Sequence, residues 1–407
     1  MSRSAFIGLS WANGTNFPAG SDRWSATPLK VAPAGSYMTP RLAVAGQELN
    51  YILNAVTNDV NGLVLEVGQA PALNWGDQRL GPPGAVTVRI YSVCWEPVNR
   101  RWYCSWAPSD ESEWHLQYTE DLGENWVDIS TWTFGAALSL LAKGDGDVYA
   151  WRVGTTSVYR YNAYTDTLVE NSTGTNCNMQ VNPTADAAQR FLGRTVLFAK
   201  TSTGNAYMFT GTDFPTTQVT LPGSLSGEFR FCSAASSTRL VAFSLSDPTN
   251  YVTTDDGITV TSRTLPFTAD GNIRSIAYSS VEGCWLIADS DPPGGSIGDT
   301  LFHRSVDGVS WVQSVGVIPG RSVYSIQVIG ALWIALSYES VGTTPKIYLS
   351  TDKGATWKVS DVTLPKDVID PGVEALWTRP TVLSSGSRFC VYNSTAMRFS
   401  FGIGAGY

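Results

Sequence analysis

Charge is scarce in this chain. Charged residues make up 15% of it, with 35 acidic against 27 basic side chains and a formal net charge of −8. With no Lys/Arg-rich run, non-specific nucleic-acid binding is disfavoured. Long apolar runs are also missing. No stretch approaches the roughly 18 residues a membrane helix requires, so no span is expected. The first residues, Met-Ser-Arg-Ser-Ala-Phe-Ile-Gly, lack the apolar core of a signal peptide, which points to synthesis in a cytoplasm without export. Only two histidines occur, His115 and His303, and the six cysteines at 94, 104, 177, 232, 284 and 390 show no two-residue spacing. A Cys/His metal site is therefore not expected, and a Ser-His-Asp reading has little to work with. Phosphate-cradling and dinucleotide glycine motifs are absent, so no cofactor is expected.

What is present points to short strands and tight turns. Aromatics make up 12%, with 38 Gly and 21 Pro. That composition, rich also in Ser and Thr, belongs to an all-β protein. Scattered Cys in apolar strands reads as buried thiols, although Cys94 and Cys104 fall on strands expected to pair, which leaves one disulfide open there. The first 45 residues carry Pro or Gly too densely for helix or central strand. Gly46–Val60 is the one convincing helical pattern, with Leu49, Ile52, Leu53, Val56 and Val60 on one stripe. Residues 1–60 are thus expected as an extended segment with one short helix, packed on its own domain or used for docking.

A motif organises the rest. Ser350-Thr-Asp352-Lys-Gly354-Ala-Thr-Trp357 fits Ser/Thr-x-Asp-x-Gly-x-x-Trp. A short carboxylate can accept N–H groups of its own turn, and Gly supplies a left-handed φ. Thr119-Glu-Asp121-Leu-Gly123-Glu-Asn-Trp126 repeats it in full. Thr253-Thr-Asp255-Asp-Gly257-Ile-Thr-Val260 has Val for Trp, and Ser305-Val-Asp307-Gly308-Val-Ser-Trp311 is one residue shorter. Degenerate copies place Asp166 and Asp213 in the same series. The Asp intervals are 45, 47, 42, 52 and 45 residues, the signature of a solenoid or propeller. Each unit holds four strand-like runs, clearest at Arg274–Tyr278, Cys284–Ala288, Thr300–Arg304 and Ser310–Ser314, with the Asp turn joining the third to the fourth. A seventh set of runs lies at about 375–401, and its outer strand could instead come from about 62–80. Residues 61–407 are therefore expected to form a seven-bladed β-propeller, with six blades as the alternative.

The turn motif resembles the Asp-box, or bacterial-neuraminidase repeat, over about 340 residues. Sialidases, family 74 xyloglucanases, sortilin-type receptors and photosystem assembly factors share it. In those families the Asp-box is structural and lies away from the ligand face. The segment Phe17–Pro33, with Thr39-Pro40 and Gly46–Asn54, resembles the N-terminal part of tail-fibre, tail-spike or similar appendage proteins of tailed bacteriophages. That resemblance implies that residues 1–60 anchor the chain to other virion proteins.

If the Asp turns mark one face, ligands are expected on the other. Polar loops there include Pro108–Trp114, and an exposed indole such as Trp114 suits stacking on sugar rings. Arg89, Arg230, Arg274, Arg321 and Arg379 fall at or just before first strands, so their guanidiniums could ring the channel mouth and take an anion. The plain alternative is that each pairs with a carboxylate or caps backbone carbonyls. The sialidase Arg-Ile-Pro motif is missing, and Glu228 and Asp289 are candidate acids with no recognisable Tyr partner. The reading is a non-enzymatic virion appendage displayed in several copies, possibly as a homo-oligomer, that binds a host-surface glycan or protein. A sialidase-like glycoside hydrolase and a purely structural head or tail decoration protein are the alternatives.

Overall fold

The computed structural model describes residues 73–75 and most of 88–403. Outside the description lie 1–72, 76–87 and 404–407, the longer segments 109–112, 130–137, 178–187, 201–204, 223–230, 245–248, 291–297, 339–345, 361–380, 385–388 and 393–396, and a few shorter gaps. The helix expected at 46–60 is among the residues not described.

Six four-stranded antiparallel sheets follow one another along the chain. Blade 1 is Val88–Glu96, Arg101–Pro108, His115–Thr119 and Val127–Asp128. Blade 2 is Leu138–Ala142, Asp147–Arg152, Thr155–Asn162 and Thr167–Cys177. Blade 3 is Ala188–Phe191, Arg194–Lys200, Ala206–Gly211 and Thr217–Thr220, and blade 4 is Phe231–Ala235, Leu240–Ser244, Asn250–Thr254 and Thr261–Thr264. Blade 5 is Asn272–Ser279, Cys284–Ser290, Thr300–Ser305 and Trp311–Ile318, and blade 6 is Ser322–Ile329, Leu332–Tyr338, Lys346–Ser350 and Lys358–Val359. The expected count of seven blades is corrected to the alternative of six, and the remaining strands form a composite sheet in the order Leu73–Trp75, Met397–Ile403, Phe389–Tyr392, Thr381–Ser384. Its outer strand comes from before blade 1, and Thr381–Ser384 lies beside the first strands of blades 6 and 1. The architecture is an all-β propeller. Second strands such as Cys284–Ser290 are buried throughout because both faces of each sheet meet a neighbour.

Four Asp turns share one hydrogen-bond scheme. Ser305 Oγ donates to Asp307 Oδ1 at 2.9 Å and accepts from Gly308 N at 2.8 Å. Asp307 Oδ1 in turn accepts from Val309 N and Ser310 N at 2.8 and 2.6 Å. Ser350, Asp352 and Thr356 repeat the arrangement, as do Thr119, Asp121 and Asn125. In blade 4 the acceptor is Asp256 rather than the expected Asp255. Thr254 Oγ1 donates to Asp256, and Ile258 N and Thr259 N donate to its Oδ1 at 2.7 Å each. The turn is the short form found at Ser305–Trp311, which shifts its frame by one residue. Asp255 is instead held by Arg239 through Nε and Nη2 at 2.5 and 2.6 Å. Neither degenerate copy repeats the scheme. In blade 2 Asn162 Oδ1 accepts from Tyr164 N and Thr165 N, and in blade 3 Asp213 reaches across to Arg160 of blade 2.

Three of these turns also seat on the preceding blade through a glycine. Gly257 (φ 69°), Gly308 (φ 70°) and Gly354 (φ 80°) have left-handed φ. A Cβ at Gly308 would fall 2.8 Å from Val241 in blade 4, and one at Gly354 would fall 2.7 Å from Leu286 in blade 5. Trp357 stacks on Phe302 of blade 5 with ring centroids 4.3 Å apart, while its Nε1 donates to Gly354 O. Trp311 Nε1 donates to Tyr251 Oη of blade 4 at 3.2 Å, and Trp126 packs against the core cluster that contains Trp102, Trp106 and Cys390. Val260 fills the corresponding place against the core shared by blades 3 and 4.

The inner strands are stitched as well. Bulges fall at Tyr91, Arg274 and Tyr324, each followed by a serine. Ser92 Oγ accepts from Leu140 N, and Ser275 Oγ from Ile326 N, both at 3.0 Å and both in the next blade. Buried Glu96 accepts from Val98 N, Gly144 N and Gly146 N at 3.0, 2.8 and 3.2 Å, joining blades 1 and 2. Among the described cysteines all five are buried free thiols. The disulfide left open between Cys94 and Cys104 does not form. Cys94 pairs with Tyr103 and Cys104 with Val93, so the two side chains enter different cores on opposite faces of one sheet.

Two outcomes test this framework. Burial alone would push the Asp307 and Asp256 carboxyls up, but hydrogen bonds from their own turns outweigh it and hold both at about 2, against an ordinary value of 3.8. Such lowered groups contribute stability that is present above about pH 4 and is lost as pH falls toward about 2. The urea midpoint is expected to decline across that window, and Asp307→Ala to show a shallower decline than the parent. Gly316→Ala should be strongly destabilising by thermal melt, because its Cβ would collide with the backbone oxygen of Gly354 in blade 6.

Candidate functional site

The antiparallel strands put the second-to-third-strand loops and the inter-blade connections at the end opposite the Asp turns. On blade 1 that end carries an aromatic pair. Trp114 immediately precedes the third strand, and Tyr91 is the bulged residue between Ile90 and Ser92. The extra residue re-aims its side chain out of the regular alternation. The two rings stand 4.8 Å apart at 44°, and both are half-buried. Glu113 beside them is exposed.

A polar layer underlies the same end of the blade. His115 stacks on Trp106 with centroids 4.1 Å apart and planes 10° from parallel. Trp106 Nε1 donates to Gln117 Oε1, and Gln117 Nε2 to Asp128 Oδ1, each at 2.8 Å. The imidazole lies 3.5 Å from Glu113 Oε2 and 3.7 Å from Asp128 Oδ1. Half-exposed ring faces next to carboxylates can stack on the apolar face of a sugar while accepting its hydroxyls. The sequence singled out Trp114. It missed Tyr91, whose only signal was the recurring aliphatic-x-Ser at 90–92, 273–275 and 323–325.

The arginines divide differently. Arg274 sits at the bulge in blade 5 and Arg321 just before the first strand of blade 6, and each is only 6% exposed. Arg321 O accepts from Thr300 Oγ1 at 2.6 Å, which fixes its backbone to blade 5. Arg89 pairs through its backbone with Ala107, and Arg230 and Arg379 lie outside the described residues. Of these five side chains, the described ones are those of Arg274 and Arg321, and both are buried. Asp289 is buried, its Oδ2 3.5 Å from His303 Nε2, whose ring stacks on Phe267. Glu228 lies outside the described residues. Among the described residues no group of three or more His, Cys, Asp or Glu side chains is placed to hold a metal ion.

No family model matches the chain, and no curated protein matches it. Solved structures do. A catalytically inactive variant of the virginiamycin B lyase from Staphylococcus aureus, solved with quinupristin, superposes with a TM-score of 0.55 at 11% identity, over 79% of this chain and 97% of that one. A family 74 xyloglucanase from Xanthomonas campestris gives 0.55 at 11% identity, over 80% of this chain and 54% of the enzyme. The family 74 enzyme of Niastella koreensis gives 0.53 at 13%, over 81% and 54%. What they share with this chain is the fold. At these identities a lyase and a glycoside hydrolase fit equally well, so the site must carry the functional reading.

The buried state of the two described arginines has a consequence. Arg274→Ala and Arg321→Ala are each expected to lower the melting temperature, because removing a buried cation strands its surroundings. A purely ligand-facing arginine would leave the melt unchanged.

Proposed function

We propose that this chain is a non-enzymatic virion appendage protein that binds a host-surface glycan through the face opposite its Asp turns. The Tyr91–Trp114 pair carries the reading. It presents aromatic surface at a loop-bearing end, beside exposed Glu113 and over a hydrogen-bonded base that restrains the site. Residues 1–60 would anchor the chain to other virion proteins. Display in several copies would then multiply weak individual contacts. In this reading the four hydrogen-bonded turns are Asp-boxes, and the composite sheet joins the two ends of the ring of six blades.

Binding of the full chain to a glycan array provides the test. Trp114→Ala and Tyr91→Ala should each weaken the glycan signal about tenfold or more, as truncating an aromatic anchor does, with unchanged melting temperatures. Full binding by both folded variants would reject the site. Antibody labelling of purified phage particles tests the setting separately, and unlabelled particles would reject the virion assignment.

A further inference from the structure

The Asp-turn face carries a second surface that glycan binding does not use. Among the described residues, the large apolar side chains left exposed fall into two groups. One group sits on outer strands. The other sits in turns, and every member belongs to this face: Val98, Tyr164, Leu192, Ile258, Val281 and Val306. Tyr164, Val281 and Val306 are 68%, 69% and 72% exposed.

Turn contacts link several of these positions. Gly257, next to Ile258, lies against Phe191 and Arg194, which flank Leu192-Gly193 in blade 3. The Tyr164 ring packs on Gly146, whose carbonyl accepts from Asn99 Nδ2, the neighbour of Val98. Gly308, two residues from Val306, lies on Arg239 and Val241 of blade 4.

Leu192 supplies an independent signal. It has φ 47° and Gly193 φ 73°, the consecutive left-handed residues of a two-residue hairpin turn. Such a turn favours Asn-Gly, and a bulky aliphatic residue at positive φ is a genuine outlier. Here the residue both strains the backbone and leaves a leucine 54% exposed. Neither property helps the chain fold, and strain of this kind concentrates where a surface is used.

We infer that the Asp-turn face is a docking surface for a protein partner whose contacting surface combines aliphatic side chains with Lys or Arg. Charge selects this occupant. The carboxylates of Asp121, Asp256, Asp307 and Asp352 lie in the turns of blades 1, 4, 5 and 6 on the same face, and hydrogen bonds from their own turns outweigh burial and hold them below the usual carboxylate range. A second copy docking the same face about a two-fold axis would set these carboxylates against one another. A basic, aliphatic surface would satisfy both components.

Panning a random-peptide library against the full chain tests this without reference to the glycan reading. Selected peptides should combine Lys or Arg with aliphatic side chains and lose affinity as salt rises. They should bind Leu192→Asn and Val306→Ser about tenfold or more weakly than the parent. Leu192→Asn should melt no lower than the parent, because Asn fits the turn better, so its loss of binding reports the surface and not the fold. Peptides that bind both variants as well as the parent, or that lack basic residues, would overturn the proposal. So would a dimer seen by light scattering that Val306→Ser dissolves, which would make a second copy the occupant.

Discussion

The structure depends on one contact repeated around the ring: an Asp turn of one blade pressed onto the blade before it. A hydroxyl and a carboxylate satisfy the turn's N–H groups internally, so the turn can leave water without stranding donors. Its glycine has no Cβ, so the turn can approach the neighbour closely. The following Trp, or Val260 in blade 4, then inserts between the two sheets. Local turn chemistry and inter-blade packing are thus the same interaction, and weakening it at Asp307 or Gly308 acts on two blades at once.

Where the turn chemistry decays, other groups make the connection. Blade 3 has no hydroxyl–carboxylate–glycine scheme, yet Asp213 reaches Arg160 and its carbonyl accepts from Tyr149 Oη of blade 2. Blade 2 restrains its turn with Asn162, and Glu96 ties blade 1 to the first hairpin of blade 2. The requirement is a satisfied polar link between adjacent sheets, and several side-chain sets meet it. This is why a period near 46 residues survives while its motif does not.

The two ends of the propeller have different chemistry. The Asp-turn end is acidic and carries exposed aliphatic residues, including a strained leucine. The far end, on blade 1, offers paired aromatic rings over a hydrogen-bonded base. A charged, partly apolar end suits a protein neighbour, and a small aromatic site suits a sugar. The two proposals therefore occupy opposite faces and do not compete for residues.

The sequence by itself determined the all-β class, the repeat, the strand runs of blade 5 and the place of Trp114, because turn motifs and alternation are local signals. It also left open that an early strand completes the last sheet, which the pairing of Leu73–Trp75 with Met397–Ile403 bears out. It misplaced the blade 4 acceptor, since Asp255 and Asp256 are adjacent and only the hydrogen bonds of the folded turn separate them. Tertiary structure alone decided that Tyr91 meets Trp114, that Arg274 and Arg321 are buried, and that exposed apolar turn residues gather at one end. Those facts depend on which strand bulges and which blade lies beside it, and these long-range relations leave no periodic mark in the chain.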